Sequence, residues 1–162
     1  MKLGFHIPKE LDRRKPYTWI ASWFGAGFIN PAPGTWGSLA ALPFGVAIFA
    51  LGGAQALTVA AIMITLIGLW AAHHFDKDMD GHDSKMIVID EVAGQWIALI
   101  PAALNPLLIL VAFIMFRFFD ILKPWPIGFI DKKINGAAGV MFDDVVAGLF
   151  AAICVIAAGV YL

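Results

Sequence analysis

Three long stretches of this chain carry no Asp, Glu, Lys or Arg: residues 16–75, 92–116 and 145–162. No other feature restricts the fold so strongly. Soluble domains devote roughly 25% of their residues to charge, whereas here 14% are charged and 60% hydrophobic. A bilayer core is crossed by about 20 helical residues. The first gap can hold two such spans, the second two short ones and the last one. This predicts an all-α fold, a polytopic membrane helical bundle of about five hydrophobic helices arranged as two hairpins plus a C-terminal span. Residues 1–162 would then form a single membrane-embedded domain.

Local breakers place the helices. Gly52 and Gly53 predict a tight turn between spans running from about Ser38 to Leu51 and from Ala54 to about His74. Asn105-Pro106 separates a helix over 92–104 from one over 106–119. A helix of about 13 residues reaches only about 20 Å, so that pair is expected to be short or re-entrant, or to draw extra length from its polar side. The run from Gly25 to Ser38 is so rich in Gly and Pro that it predicts an ordered loop rather than helix.

The charges themselves fall in three clusters. Residues 1–24 read as a basic, interfacial segment, with Lys2, Lys9, Arg13, Arg14 and Lys15 against Glu10 and Asp12. Trp19 and Trp23, one helical turn apart, suit either the headgroup layer or the protein core. The turns at Gly52-Gly53 and Asn105-Pro106 are uncharged, so the positive-inside rule puts every charged cluster in the cytoplasm and the C-terminus outside. The stretch after Lys15 breaks at Gly25, Gly27, Pro31 and Pro33 with no clear small-residue cleavage site, and the chain is expected to be mature. A net charge of -1 suggests no nucleic-acid partner. The single Cys154 excludes an intrachain disulfide and reads as a buried thiol.

Carboxylates at the edge of hydrocarbon are costly unless paired, hydrated or metal-bound. Two adjacent pairs recur in like settings: Asp90-Glu91 in Ile-Val-Ile-Asp-Glu-Val-Ala-Gly and Asp143-Asp144 in Val-Met-Phe-Asp-Asp-Val-Val-Ala-Gly. Each is expected at a helix entrance, where capping of the helix dipole is the plainer explanation. Gly94 and either Ala147 or Gly148 would let these helices approach closely. Asp120 closes the fourth helix, where it opposes the dipole and calls for a cation, Arg117 or Lys123. If the hairpins pack side by side, all five carboxylates reach one depth beside two basic side chains. Such hard oxygen ligands suit Mg2+, with Arg117 and Lys123 holding phosphate oxygens. A structural salt-bridge cluster is the alternative. The Pro33-Gly34-Thr35-Trp36-Gly37-Ser38 run leads into a helix and could cradle an anion on its N–H groups and the Ser38 hydroxyl, or Ser38 could simply cap the helix.

Two nearby patterns carry less. The segment Asp76-Lys-Asp78-Met-Asp80-Gly81 starts like a calcium loop, but its twelfth position is Ile87 instead of Glu. It also echoes an aspartyl-phosphate motif without the strand that motif requires. His73, His74 and His82 lack a companion cluster for a metal.

Taken together, the chain resembles the phosphatidylglycerophosphatase A family of bacterial membranes. The resemblance rests on the blocks at 25–39, 87–94, 117–126 and 139–148. It implies Mg2+-dependent removal of the terminal phosphate from phosphatidylglycerophosphate, giving phosphatidylglycerol, by a multi-pass protein of the inner membrane whose site faces the cytoplasm. It implicates Asp90, Glu91, Asp120, Lys123, Asp143 and Asp144, with Gly34, Thr35 and Ser38. The stretch His82-Asp83-Ser-Lys-Met86 and the approach Asn135-Gly-Ala-Ala-Gly139 depart from the family pattern, which leaves Asp83 and Asn135 without an assigned role. The rival from another class is a non-enzymatic ion-binding or transport protein, which would place its acids deep within the spans.

Overall fold

The structure, a computed structural model, describes residues 4–9, 11–79 and 85–161. It is mostly helical. A minimal antiparallel ribbon pairs β1 (Gly4–Phe5) with β2 (Ile29–Asn30), a small departure from the all-α expectation. Between the strands, α1 (Pro16–Ala21) starts on a proline, whose fixed φ and missing N–H suit a first helical position. Trp23 is buried, edge-on to Trp96 and Phe44, so the second of the two indoles belongs to the core. Trp19 is half-buried and donates its indole N–H to the Arg13 carbonyl at 2.9 Å.

The helix α2 (Pro33–Asp78) is interrupted at Gly53, whose φ of 67° and ψ of -164° are not helical. The chain doubles back there. Gly34 and Gly37 lie against Glu91 and Val88, and Gly68 lies against the neighbouring Ile89, so both halves of α2 pass the same level of the molecule. The turn predicted at Gly52-Gly53 is therefore present. The helix begins at Pro33, however, five residues before the expected start, and runs on past His74 to Asp78. Gly34 and Gly37, read as breakers, are helical, and Glu91 of α3 and Val88 just before it lie so close that a side chain at either position would collide with them.

Helix α3 (Ile89–Leu99) continues as a single 3-10 turn over Ile100–Ala102. Asn105 then caps α4 (Pro106–Leu122), its side-chain oxygen accepting from the Leu107 N–H at 2.9 Å. The breaker at Asn105-Pro106 works as the sequence implies. A short helix absent from the sequence reading, α5 (Ile127–Lys133), follows, and α6 (Ala137–Gly159) starts eight residues before the expected Val145.

Among the described residues two helices, α2 and α6, are long and apolar enough to cross a membrane. Leu51, Val59, Ile62, Leu110, Ile114, Ile153 and Ile156 are exposed on the outside of the bundle, an apolar coat unsuited to water. The interior is closed by Phe28, Phe75, Phe116, Ile89, Val92 and Met141, all fully buried. Helices α3 and α6 meet backbone to backbone: a Cβ on Gly94 would stand 2.5 Å from the Asp144 carbonyl, and one on Gly148 would collide with the Gly94 carbonyl. Small residues at such a crossing permit the close packing that drives helix association in lipid.

Candidate active site

Helical periodicity converts the Gly94–Gly148 crossing into a site. Asp90 precedes Gly94 by four residues and Asp144 precedes Gly148 by four, so each acid sits on the contacting face, one turn above the crossing. One carboxylate oxygen from each of Asp90, Glu91 and Asp144 falls within 4.8 Å of the others. Asp90-Glu91 occupies the first turn of α3 as expected. Asp143-Asp144 does not open α6, because that helix starts at Ala137 and has no acid in its first turn. Dipole capping therefore cannot account for the second pair.

These acids line a cavity of about 560 Å³ together with Asp120, Asp131, Asp143, Lys85, Arg117, Lys123, Ala32, Pro33, Gly34, Ile87, Ile121 and Val140. All five carboxylates named from the sequence thus reach one space, but in two conditions. Asp120 and Asp143 are paired with cations. Arg117 Nη1 lies 2.5 Å from Asp120 and 3.9 Å from Glu91. Lys123 Nζ donates to Asp143 Oδ2 at 2.6 Å and to Asp131 Oδ1 at 2.7 Å. Of the two cations offered to Asp120, only Arg117 takes it. The lysine is held instead by a side chain on α5, Asp131, which the sequence reading missed. The 127, 130, 134 spacing of Ile residues could have marked that helix.

By contrast, Asp90 Oδ1, Glu91 Oε2 and Asp144 Oδ2 are buried with no hydrogen-bond partner among the described residues. A buried polar atom left unpaired costs about 1–3 kcal/mol, more when charged, and a cation shared by the three residues would remove that cost. The donors are all oxygen, and among the described residues no His or Cys lines the cavity. That set fits Mg2+, which takes carboxylates, water and substrate phosphate. Gln95 is also fully buried one turn below Glu91, with both amide atoms unpartnered among the described residues. No sequence signal distinguished it.

The early run is used differently from the expectation. Only Gly34 of the three nominated residues lines the cavity. The Thr35 N–H already bonds the Ala32 carbonyl at 3.0 Å. Ser38 lies inside α2, so it is no N-cap; its hydroxyl donates to the Gly34 carbonyl at 2.8 Å and accepts from Arg117 Nη1 at 3.3 Å. Ser38 therefore orients the arginine. Burial pulls the Lys123 ammonium toward deprotonation, but its bonds to Asp131 and Asp143 outweigh that and hold its pKa above the ordinary lysine value.

The residues of the weaker patterns stand apart. Asp78 accepts the Tyr17 hydroxyl at 2.6 Å, and His74 Nδ1 contacts the Trp70 carbonyl at 2.9 Å. Asp80, Gly81, His82 and Asp83 lie outside the described residues. Asn135 is exposed and does not line the cavity.

A family model described as phosphatidylglycerophosphatase A matches residues 19–159. A phosphatidylglycerophosphatase A of Haemophilus influenzae is 42% identical over 151 residues, covering 92% of this chain and 92% of its own. One from Escherichia coli is 38% identical over 144 residues, 88% of this chain and 83% of its own. A Bacteroides thetaiotaomicron protein, provisionally named phosphatidylinositol-3-phosphatase, is 37% identical over 143 residues, 84% of this chain and 89% of its own. No solved structure matches the chain.

Proposed function

The chain belongs to the phosphatidylglycerophosphatase A family, and from that premise we propose that it hydrolyses the terminal phosphate of phosphatidylglycerophosphate in a Mg2+-dependent reaction, releasing phosphatidylglycerol. The observation that carries the chemistry is the trio of unpartnered, buried carboxylate oxygens from Asp90, Glu91 and Asp144, set in one cavity with Arg117 and Lys123. Mg2+ held by that trio would supply charge neutralisation and Lewis-acid polarisation of the phosphoryl group.

The chain's own side chains do the rest. Arg117, buttressed by Asp120 and Ser38, presents a fixed guanidinium edge to phosphate oxygens, and Lys123, held by Asp143, offers an ammonium in the same cavity. A cavity carboxylate takes the proton of the attacking water as the bond to phosphorus forms. The glycerol oxygen leaves with the bonding pair and takes up a proton. Phosphate label retained on the protein after acid quench would replace direct water attack with a covalent aspartyl route.

The five apolar helices, counting α2 as two, are proposed to span or dip into the bacterial inner membrane. At 11 residues α3 reaches only roughly 16 Å and dips part-way. The substrate is then a lipid of the surrounding bilayer, met at the cytoplasmic surface. An ion pathway would need acids along the helix centres; here the gathered acids stand at one end of the bundle. The test is direct: purified protein with phosphatidylglycerophosphate should release phosphate with Mg2+, lose turnover in EDTA and regain it on Mg2+ addition. Full turnover in metal-depleted protein would eliminate the metal reading.

A further inference from the structure

The two cations proposed to receive phosphate are not equally accessible to it. Arg117 Nη1 is committed to Asp120 and Ser38. Lys123 stands between two carboxylates of different character. Asp143, whose side chain is only 3% exposed, sits within the long helix α6 and accepts the Asp144 N–H at 3.0 Å as well as the lysine. Asp131 is 41% exposed on the seven-residue α5.

We infer that Asp131 is a resident stand-in for phosphate: it occupies Lys123 until the phosphate group of the lipid displaces it, and in doing so it sets the affinity of the cavity. The inference rests on the phosphatase reading of this cavity. Withdrawing a cation from buried Asp143 would strand a charge in a low-dielectric interior, which is expensive. Releasing Asp131 is cheap, because an exposed carboxylate rehydrates and an exposed ion pair contributes little. An ammonium has three donors, so Lys123 can keep Asp143 while a phosphate oxygen replaces Asp131.

The backbone holds the stand-in at its post. Lys123 ends α4 in a left-handed conformation, φ 44°, with its N–H on the Phe119 carbonyl at 2.9 Å. Its own carbonyl packs on Gly128, where a Cβ would stand 2.6 Å away. Asp131 follows Gly128 by three residues and so shares its helix face. The cavity has six carboxylates against Lys85, Arg117 and Lys123. A dianion entering that excess of negative charge gains most where one carboxylate steps aside.

The test is a double-mutant cycle on the full-length protein in Mg2+ buffer, with inorganic phosphate as the probe, read by calorimetric binding and by competitive inhibition of phosphatidylglycerophosphate hydrolysis. Asp131→Asn should bind phosphate roughly two- to five-fold more tightly than wild type, the range an exposed ion pair commands, and should lower KM in the same direction. The gain should vanish in the Lys123→Ala background. Asp131→Glu, which keeps the competing charge, should stay near wild-type affinity. Should Asp131→Asn fold poorly, Asp131→Ser removes the same charge and carries the same expectation. Unchanged or weaker phosphate binding in the folded charge-removing variant would overturn the inference, as would a gain that persists without Lys123. A wild-type protein that releases no phosphate from phosphatidylglycerophosphate would instead remove the functional reading, while the binding cycle still reports on the Asp131–Lys123 exchange.

Discussion

Gly34→Ala is the smallest change that should disable the cavity without replacing an acid. A Cβ at residue 34 would overlap Glu91 Oε1 and stand 3.0 Å from its Cδ and 3.2 Å from Arg117 Nη1. Ordinary C···O contacts run about 3.3–3.6 Å, so the carboxylate must withdraw on the order of 1 Å and disturb the guanidinium as it goes. Overpacking of this kind costs about 1–3 kcal/mol of stability, which a helical bundle can absorb. A displacement of about 1 Å in a catalytic group costs on the order of 10²-fold in rate. Gly34→Ala is therefore expected to fold and to lose about 10²-fold in kcat, measured as phosphate release from phosphatidylglycerophosphate. Gly4→Ala, with nothing within 4 Å of the new methyl, is the control. Adding Glu91→Asp shortens the colliding side chain by one methylene, so the double variant should be no slower than Glu91→Asp alone. Two penalties that multiply, or a Gly34→Ala enzyme with wild-type kcat, would show that this contact does not position Glu91.

Asp90→Asn, Asp120→Asn and Asp144→Asn should each lower kcat by about 10²-fold or more, whereas Asp78→Asn, whose parent residue bonds Tyr17 outside the cavity, should stay near wild type. The Tyr17 hydroxyl, donating to Asp78, has its pKa pushed up from 10.0 to about 12. The neutral tyrosine is the favoured form, so its contribution to stability is complete below about pH 10 and is lost as the pH climbs toward about 12. Thermal unfolding of wild type and Tyr17→Phe should differ at neutral pH and converge across that window; parallel curves would mean that the bond contributes nothing. A reporter fused after Leu162 should read as periplasmic, and cytoplasmic activity there would mean an even number of spans.

What could be read from the sequence was what the backbone decides locally. Gly53 turns and Asn105 caps because their own dihedrals and side-chain oxygen do so in any surroundings. The start of α2 could not be read that way: Gly34 and Gly37 look like helix breakers, and only the pressure of Val88 and Glu91 from α3 shows that they are packing residues. The convergence of the acids was foreshadowed by the repeated acid pair and glycine. The choice of partners was not, because spacing along one helix offered both Arg117 and Lys123 to Asp120, and only the placement of α5 and α6 assigns the lysine to Asp131 and Asp143.

The crossing of α3 and α6 at Gly94 and Gly148 works as a fulcrum with unequal arms. Asp90 and Asp144 lie four residues, roughly 6 Å, from it, whereas Gly159 lies 11 residues, roughly 16 Å, on the other side. If the bundle sits in a bilayer as proposed, a thicker or thinner one that re-tilts the helices swings the far tip of α6 nearly three times as far as the acids. A change of about 3° moves the carboxylates by only about 0.3 Å relative to the contact, against nearly 1 Å at the far tip of α6. On that proposal the acids are spared most of any re-tilt, and turnover in vesicles of short and long acyl chains should stay similar while the tilt of α6 changes.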